Sequence, residues 1–216
     1  MSIIVKYTNV LSDFITEKQA NQSDSYSKYI YYDGLLKKIE YYGKARVKTY
    51  KVTTYFLDSS ENKDIIIEQF TDSNANFKCV VYFNQQISGS FSLWDREEYT
   101  KEGILVFKGK DVFDSNNKML LSVDYVLGSD SIKSAYKYYY GNRYESELKD
   151  RLLEFSYDST GQLLQIMDVD NNFGYLKSID IDQFLADTNF SQVQFPWVLH
   201  PYYHSLYPFL PQSDTV

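Results

Sequence analysis

The sequence predicts a mainly β protein. It reads as an antiparallel meander of hairpins, in the form of a curved sheet, sandwich or open barrel, with a short N-terminal helix and an irregular Pro- and aromatic-rich C-terminal tail. Three observations predict this. Aromatic residues make up 18% of the 216-residue chain, with 22 Tyr and 14 Phe, and flat rings favour the pleated, half-buried surface of a sheet. From Tyr26 to about Asp170, short runs of Tyr, Phe, Val and Ile alternate with clusters of Asp, Asn, Ser and Gly, which is the pattern of successive strands and turns. The connecting segments read as too short for the crossover helices that a parallel sheet requires.

The elements follow in order. Val10, Leu11, Phe14 and Ile15 fall at helical spacing after Asn9, a competent N-cap, so residues 9–20 are expected to form the helix. Tyr29-Ile30-Tyr31-Tyr32, Asp33-Gly34 and Leu35 to Tyr42 form the clearest hairpin, since Asp-Gly suits the two positive-φ positions of a type I′ turn. Further strands are expected at 46–57, 64–71, 77–84, 87–94, 104–113, 119–126, 132–140 and 151–169, the last broken by the turn at Asp158 to Gly161. Residues 178–187 carry Ile181, Phe184 and Leu185 on one face of a short helix. All four prolines lie in the tail from Phe195 to Pro211, which rules out a regular central strand there. The chain reads as a single domain, 1–216: helix and loop over 1–25, meander over 26–170, and short helix with tail over 171–216.

Three hairpin regions share a shape, an aromatic residue, Asp, a turn and an apolar run ending in an acid. They are Tyr32 to Glu40, Phe113 to Asp124 and Tyr157 to Asp168. The third resembles the tyrosine-aspartate (YD) repeat of RHS-type proteins. The first copy has a shorter turn and the second lacks Gly. The resemblance covers about a fifth of the chain and implies hairpins in which Asp bonds the turn backbone while Leu and Ile face the core.

A net charge of −7 disfavours nucleic acid, whose phosphates call for clustered Lys and Arg, and an anionic membrane surface likewise. It favours steering of a basic partner. The single Cys79 excludes an internal disulfide, and Tyr7 to Asp13 interrupts any apolar leader core, so a cytoplasmic protein is expected.

No cofactor or metal site is expected. His200 and His204 stand four apart, but Pro201 removes the helical geometry that would bring their rings to one ion, and packing within the aromatic tail is the simpler reading. Asp168 to Gly174 begins like a calcium loop but places Phe173 where the turn needs Gly and Ile179 where the loop needs Glu. Strand alternation puts Cys79 beside Phe77, Val81 and Phe83, as a buried thiol and not a nucleophile. Asp95, Glu97 and Glu98 form the densest acidic cluster, expected on a solvated loop. Consecutive Tyr residues, as at Tyr138 to Tyr140, must place some rings outward on any strand, and exposed Tyr is an interface residue.

Together these predict a non-enzymatic protein-binding module, specifically a bacterial immunity-type protein that neutralises a basic toxin domain through an acidic, Tyr-rich surface. Asp95, Glu97, Glu98, Tyr138 and Tyr140 are its candidate contacts. A carbohydrate-binding sheet is the alternative, and a hydrolase using the acidic cluster the third.

Overall fold

The computed structural model describes residues 2–10, 13–45, 48–71, 77–140, 153–168 and 195–212. The described strands are β1 (Ile3–Thr8), β2 (Phe14–Ile15), β3 (Ser25–Tyr32), β4 (Leu35–Ala45), β5 (Lys48–Phe56), β6 (Phe77–Ser88), β7 (Phe91–Tyr99), β8 (Leu105–Phe113), β9 (Met119–Tyr125), β10 (Ile132–Tyr139), β11 (Leu153–Tyr157) and β12 (Leu163–Asp168). Two helices, α1 (Glu17–Gln22) and α2 (Lys63–Thr71), accompany them. The strands form one open, mostly antiparallel sheet whose order descends from β12 to β3 and ends with β1 and β2. The predicted fold class holds, because each short polar turn returns the chain beside the strand it has just left.

Two elements differ from the sequence reading. Residues 9–20 are not one helix. Asn9 closes a turn with Asp13, its N–H donating to the Asp13 carbonyl at 3.0 Å, and Phe14–Ile15 pair with β1 as β2. Helix α1 starts only after Thr16, whose hydroxyl accepts from Gln19 N–H while the Gln19 side chain accepts from Thr16 N–H; this reciprocal cap outcompetes Asn9. Residues 64–71, read as a strand from their β-branched run, form α2 instead. Asn62 caps it by accepting from the backbone of Asp64 and Ile65, and Ile66 is buried while Ile65 is exposed. That helix carries the chain from β5 to β6, which pair in parallel, a pairing that needs such a crossover. β1 was not anticipated. The helix expected at 178–187 lies outside the described residues, as do residues 169–174 of the loop after Asp168.

By internal contact the chain divides into two compact units, Met1–Gln85 with Asp95–Lys108, and Gln86–Trp94 with Gly109–Val216. The first is organised where α2 packs on the sheet, around Leu57, Ile66, Cys79, Val81 and Tyr99. Cys79 is buried there as expected, and burial pushes its thiol up to about 12.

In the second unit, alternate residues of β9 to β12 face one core. Leu121, Val123, Leu153, Phe155 and Ile166 are fully shielded, each apolar side chain of this size contributing about 1.5–3 kcal/mol. The proline-bearing tail forms two 3-10 turns, Trp197–Leu199 and Pro201–Tyr203, and supplies Phe195, Tyr202, Tyr203 and Leu206 to that core.

Lys137 holds the tail down. It lies on β10 opposite Leu121 of β9 and Phe155 of β11, fully buried. Its ammonium donates to the carbonyls of Tyr202 at 2.6 Å, Ser205 at 2.8 Å and Pro208 at 3.3 Å. All three donors of the ammonium are thereby matched. The Tyr157 hydroxyl adds a bond to the Tyr203 carbonyl at 2.9 Å, and Tyr203 donates to the Tyr138 carbonyl at 3.2 Å.

The two longer of the three similar hairpin segments close with one turn design. In Asp158 to Gln162, Asp158 N–H donates to the Gln162 carbonyl and Gly161 N–H to the Asp158 carbonyl, while the Asp158 carboxylate accepts from Thr160 and Gln162 N–H. Asp114 to Lys118 repeats every one of those backbone bonds, with the Asp114 carboxylate accepting from Asn116 and Lys118. Asn117, at φ 61°, takes the left-handed position that Gly161 holds at φ 90°, since Asn tolerates it better than most residues. Thr100 to Ile104 uses the same backbone pattern with Gly103 at φ 75° and the Thr100 hydroxyl in place of Asp. The shorter copy is the expected two-residue turn, Asp33 and Gly34 both having positive φ.

Candidate functional site

Asp95, Glu97 and Glu98 lie on β7 and not on a loop, so alternation sets Asp95 and Glu97 on one face and Glu98 on the other. All are half-buried and engaged by the chain itself. Asp95 accepts from the Asn84 amide at 2.8 Å. Glu97 is held by the Lys63 ammonium and the Tyr99 hydroxyl, and Glu98 stands 3.8 Å from Arg96. Tyr138 is buried, which leaves its ring little surface to offer. Tyr140 is half-buried, donating to the Met119 carbonyl at 2.9 Å beneath the Lys118 ammonium. The histidines pack within the tail: His200 stacks on Phe195, and His204 on Trp197, whose carbonyl accepts from His204 Nε2 at 2.9 Å.

The surface that gathers aromatic rings and an exposed carboxylate lies elsewhere, on β1, β3 and β4. A bulge between Ile30 and Tyr31 shifts the β3 to β4 register by one residue and puts Tyr26 directly opposite Tyr42. The two rings stack at 4.7 Å and 17°. Tyr7 on β1, paired with Lys28, brings its ring to 6.2 Å from Tyr26. The result is a row of three half-buried rings across three strands, of the kind that stabilises adjacent strands by about 0.2–1 kcal/mol per pair.

Two carboxylates bracket the row. The Tyr7 hydroxyl donates to Glu17 at 3.0 Å, and the Tyr42 hydroxyl to Glu40 at 2.9 Å. Glu40 is buried and also paired with Lys38 at 2.9 Å, whereas Glu17 is exposed at the start of α1. Desolvation, and then the nearby carboxylates, raise the hydroxyl pKa values of Tyr7, Tyr26 and Tyr42. All three are therefore neutral donors at physiological pH. Tyr26, between the two acids, makes no hydroxyl hydrogen bond among the described residues. Beside the row, an open groove of about 530 Å³ runs along Val5, Tyr7, Phe14, Ile15 and Glu17.

Chemically this surface can donate hydrogen bonds, stack and attract a cation. Among the described residues no cluster of three or more His, Cys, Asp or Glu side chains is arranged to hold a metal ion, and no helix is long and apolar enough to cross a membrane. Sequence reasoning noticed the Tyr-rich runs but could not join Tyr7, Tyr26 and Tyr42. The available signal was the Asp33-Gly34 turn, which fixes β3 against β4; counted back without the bulge, it pairs Tyr26 with Tyr41. Comparison of the chain with protein-family models, with curated proteins and with solved structures finds no match.

Proposed function

We propose that this protein is a non-enzymatic binding module for a basic protein partner, contacted through the Tyr7, Tyr26 and Tyr42 row. The observation that carries this reading is the row itself: three neutral Tyr rings on a half-exposed sheet face, with the Tyr26 hydroxyl between two carboxylates and the exposed Glu17 carboxylate at one end. A partner Arg or Lys would meet the exposed Glu17 carboxylate at the end of the row, while the charge of −7 steers it in. Neutralisation of a toxin domain inside the producing cell is the specific role we assign.

Carbohydrate binding is the second reading, since rings and carboxylates also suit sugars. The stacking of Tyr26 on Tyr42 weighs against it, because the two facing surfaces are occupied by each other and not open to a pyranose.

Affinity capture from the native host, using wild type, Tyr26→Ala and Glu17→Lys as matched baits and eluting at low and high salt, tests the proposal. The expected result is one basic protein retained by wild type, released by salt and weakly held by both variants. Saturable binding to a glycan array with no protein retained would transfer the function to the second reading.

A further inference from the structure

Among the described residues the outer edge of the sheet at β1 is open and apolar. β2 pairs only with Tyr7 and Thr8, and Ile3, Ile4 and Val5 are 60%, 47% and 40% exposed. Which backbone groups face outward follows from the bonds. Ser2 turns its carbonyl and N–H inward, to Asp33 N–H at 2.9 Å and the Asp33 carboxylate at 2.7 Å. Asn9 turns outward to Asp13. Since direction alternates along an antiparallel strand, Ile3 and Val5 present their N–H and C=O groups to the open edge, and Ile4 and Lys6 point theirs at β3. Exposed edges of this kind are templates for another strand.

We propose that a second copy of this chain occupies that edge, with β1 pairing antiparallel to its twin about a twofold axis at Ile4. Several features point to self-pairing. With the axis at Ile4, Ile3 of each copy lies opposite Val5 of the other, so the four outward N–H and four outward C=O groups of the two strands satisfy one another. Centring on Val5 would instead place Ile3 against Tyr7, whose outer side β2 already occupies. The side chains that meet are Ile4 on its twin and Ile3 on Val5, apolar on both faces. Lys6 falls opposite Ser2 of the second copy, and Ser2 is bonded to the Asp33 carboxylate; the twofold therefore makes two opposite-charge approaches and no like-charge one. Such an isologous contact closes on itself and does not propagate. Joined this way, both copies turn the Tyr7 face to the same side of the continuous sheet, which presents two binding rows to a partner.

Sedimentation of the full-length protein from about 1 to 100 μM tests the arrangement, together with three variants. Wild type is expected to sediment as a dimer across the upper part of that range. Val5→Pro removes one outward N–H while leaving the β3 ladder intact, a position where edge strands tolerate proline, and should be monomeric. Ile4→Lys sets two ammonium groups on the twofold without altering the backbone, and should be monomeric even if Val5→Pro folds poorly. Lys6→Glu should weaken the dimer about tenfold at low salt and less at high salt. A monomeric wild type at 100 μM, or a dimer that survives Ile4→Lys, overturns the inference. Either result leaves the Tyr-row reading standing, since that is judged by partner capture.

Discussion

The Lys137 ammonium donates to the Tyr202 carbonyl at 2.6 Å and lies 3.7 Å from the centre of the same residue's ring. One tail residue therefore offers the buried cation both a dipole and a π face, and among the described residues its hydrogen-bond partners are carbonyls. Binding through carbonyls ties the charge to the fold of the tail, and the tail to the charge.

Replacing Lys137 by Met relieves a buried charge but leaves three tail carbonyls without a donor, each carrying a desolvation cost of about 1–3 kcal/mol unless water reaches it. The expected net loss is about 2–4 kcal/mol by chemical denaturation. Hydrogen exchange at Leu206, whose N–H donates to the Gly161 carbonyl, should quicken more than at core strand amides. Unchanged exchange at Leu206 would show that the clasp does not hold the tail.

Stability should depend on pH through the same lysine. Burial lowers its pKa from 10.5 to about 7, although the carbonyls favour the charged form. Between those values the unfolded chain holds a proton that the native protein lacks, so stability rises with pH from 7 toward 10. Above pH 10 the sign reverses: half-buried Tyr42 and Tyr55 and buried Tyr99, Tyr157 and Tyr202 have raised pKa values, the unfolded tyrosines lose protons first, and stability falls. Thermal unfolding from pH 6 to 11 should trace a maximum near pH 10, and Lys137→Met should flatten its rising limb.

Gly161 and Gly34 have similar φ, +90° and +86°, but different surroundings. A Cβ at Gly161 would come within 2.9 Å of the Tyr207 ring, and one at Gly34 would meet nothing. Gly34→Ala should cost only the left-handed strain of about 1–2 kcal/mol. Gly161→Ala should cost more, by displacing Tyr207 and loosening the tail. Equal losses in urea titrations would refute this account of the third turn. Asn117→Gly, in the equivalent left-handed position, should be neutral or stabilising by up to about 1 kcal/mol.

Cys79→Ser should lower stability by about 1–3 kcal/mol, because a hydroxyl replaces a thiol in the apolar cluster of Leu57, Ile66, Val81 and Tyr99. Partner binding should be unaffected. In the native protein Cys79 should react with a thiol reagent only at the rate of unfolding; rapid labelling would contradict its burial.

The sequence by itself determined the strand meander, the turns that begin at Asp33, Asp114 and Asp158, and the buried position of Cys79. Those features depend on local chemistry: alternating side chains, and Asp, Asn or Gly at the few positions that reverse the chain. It misread 64–71 because Ile65-Ile66-Ile67 suits a strand, and only the cap at Asn62 and the burial of Ile66 against the sheet tip the balance to helix. Asp95, Glu97 and Glu98 were visible as an acidic cluster, and Arg96 and Tyr99 lie beside them on the same strand, but Asn84 and Lys63 come from other elements, so what they do to Asp95 and Glu97 was not legible. Lys137 gave no signal, since a lysine within a strand ordinarily faces water, and only the folded tail brings three carbonyls to its ammonium. The Tyr row turned on a single bulge between Ile30 and Tyr31. Side chains alternate with a period of two, so one extra residue exchanges the faces of the strand, replaces Tyr41 by Tyr42 opposite Tyr26, and assembles a surface that tertiary pairing alone could decide.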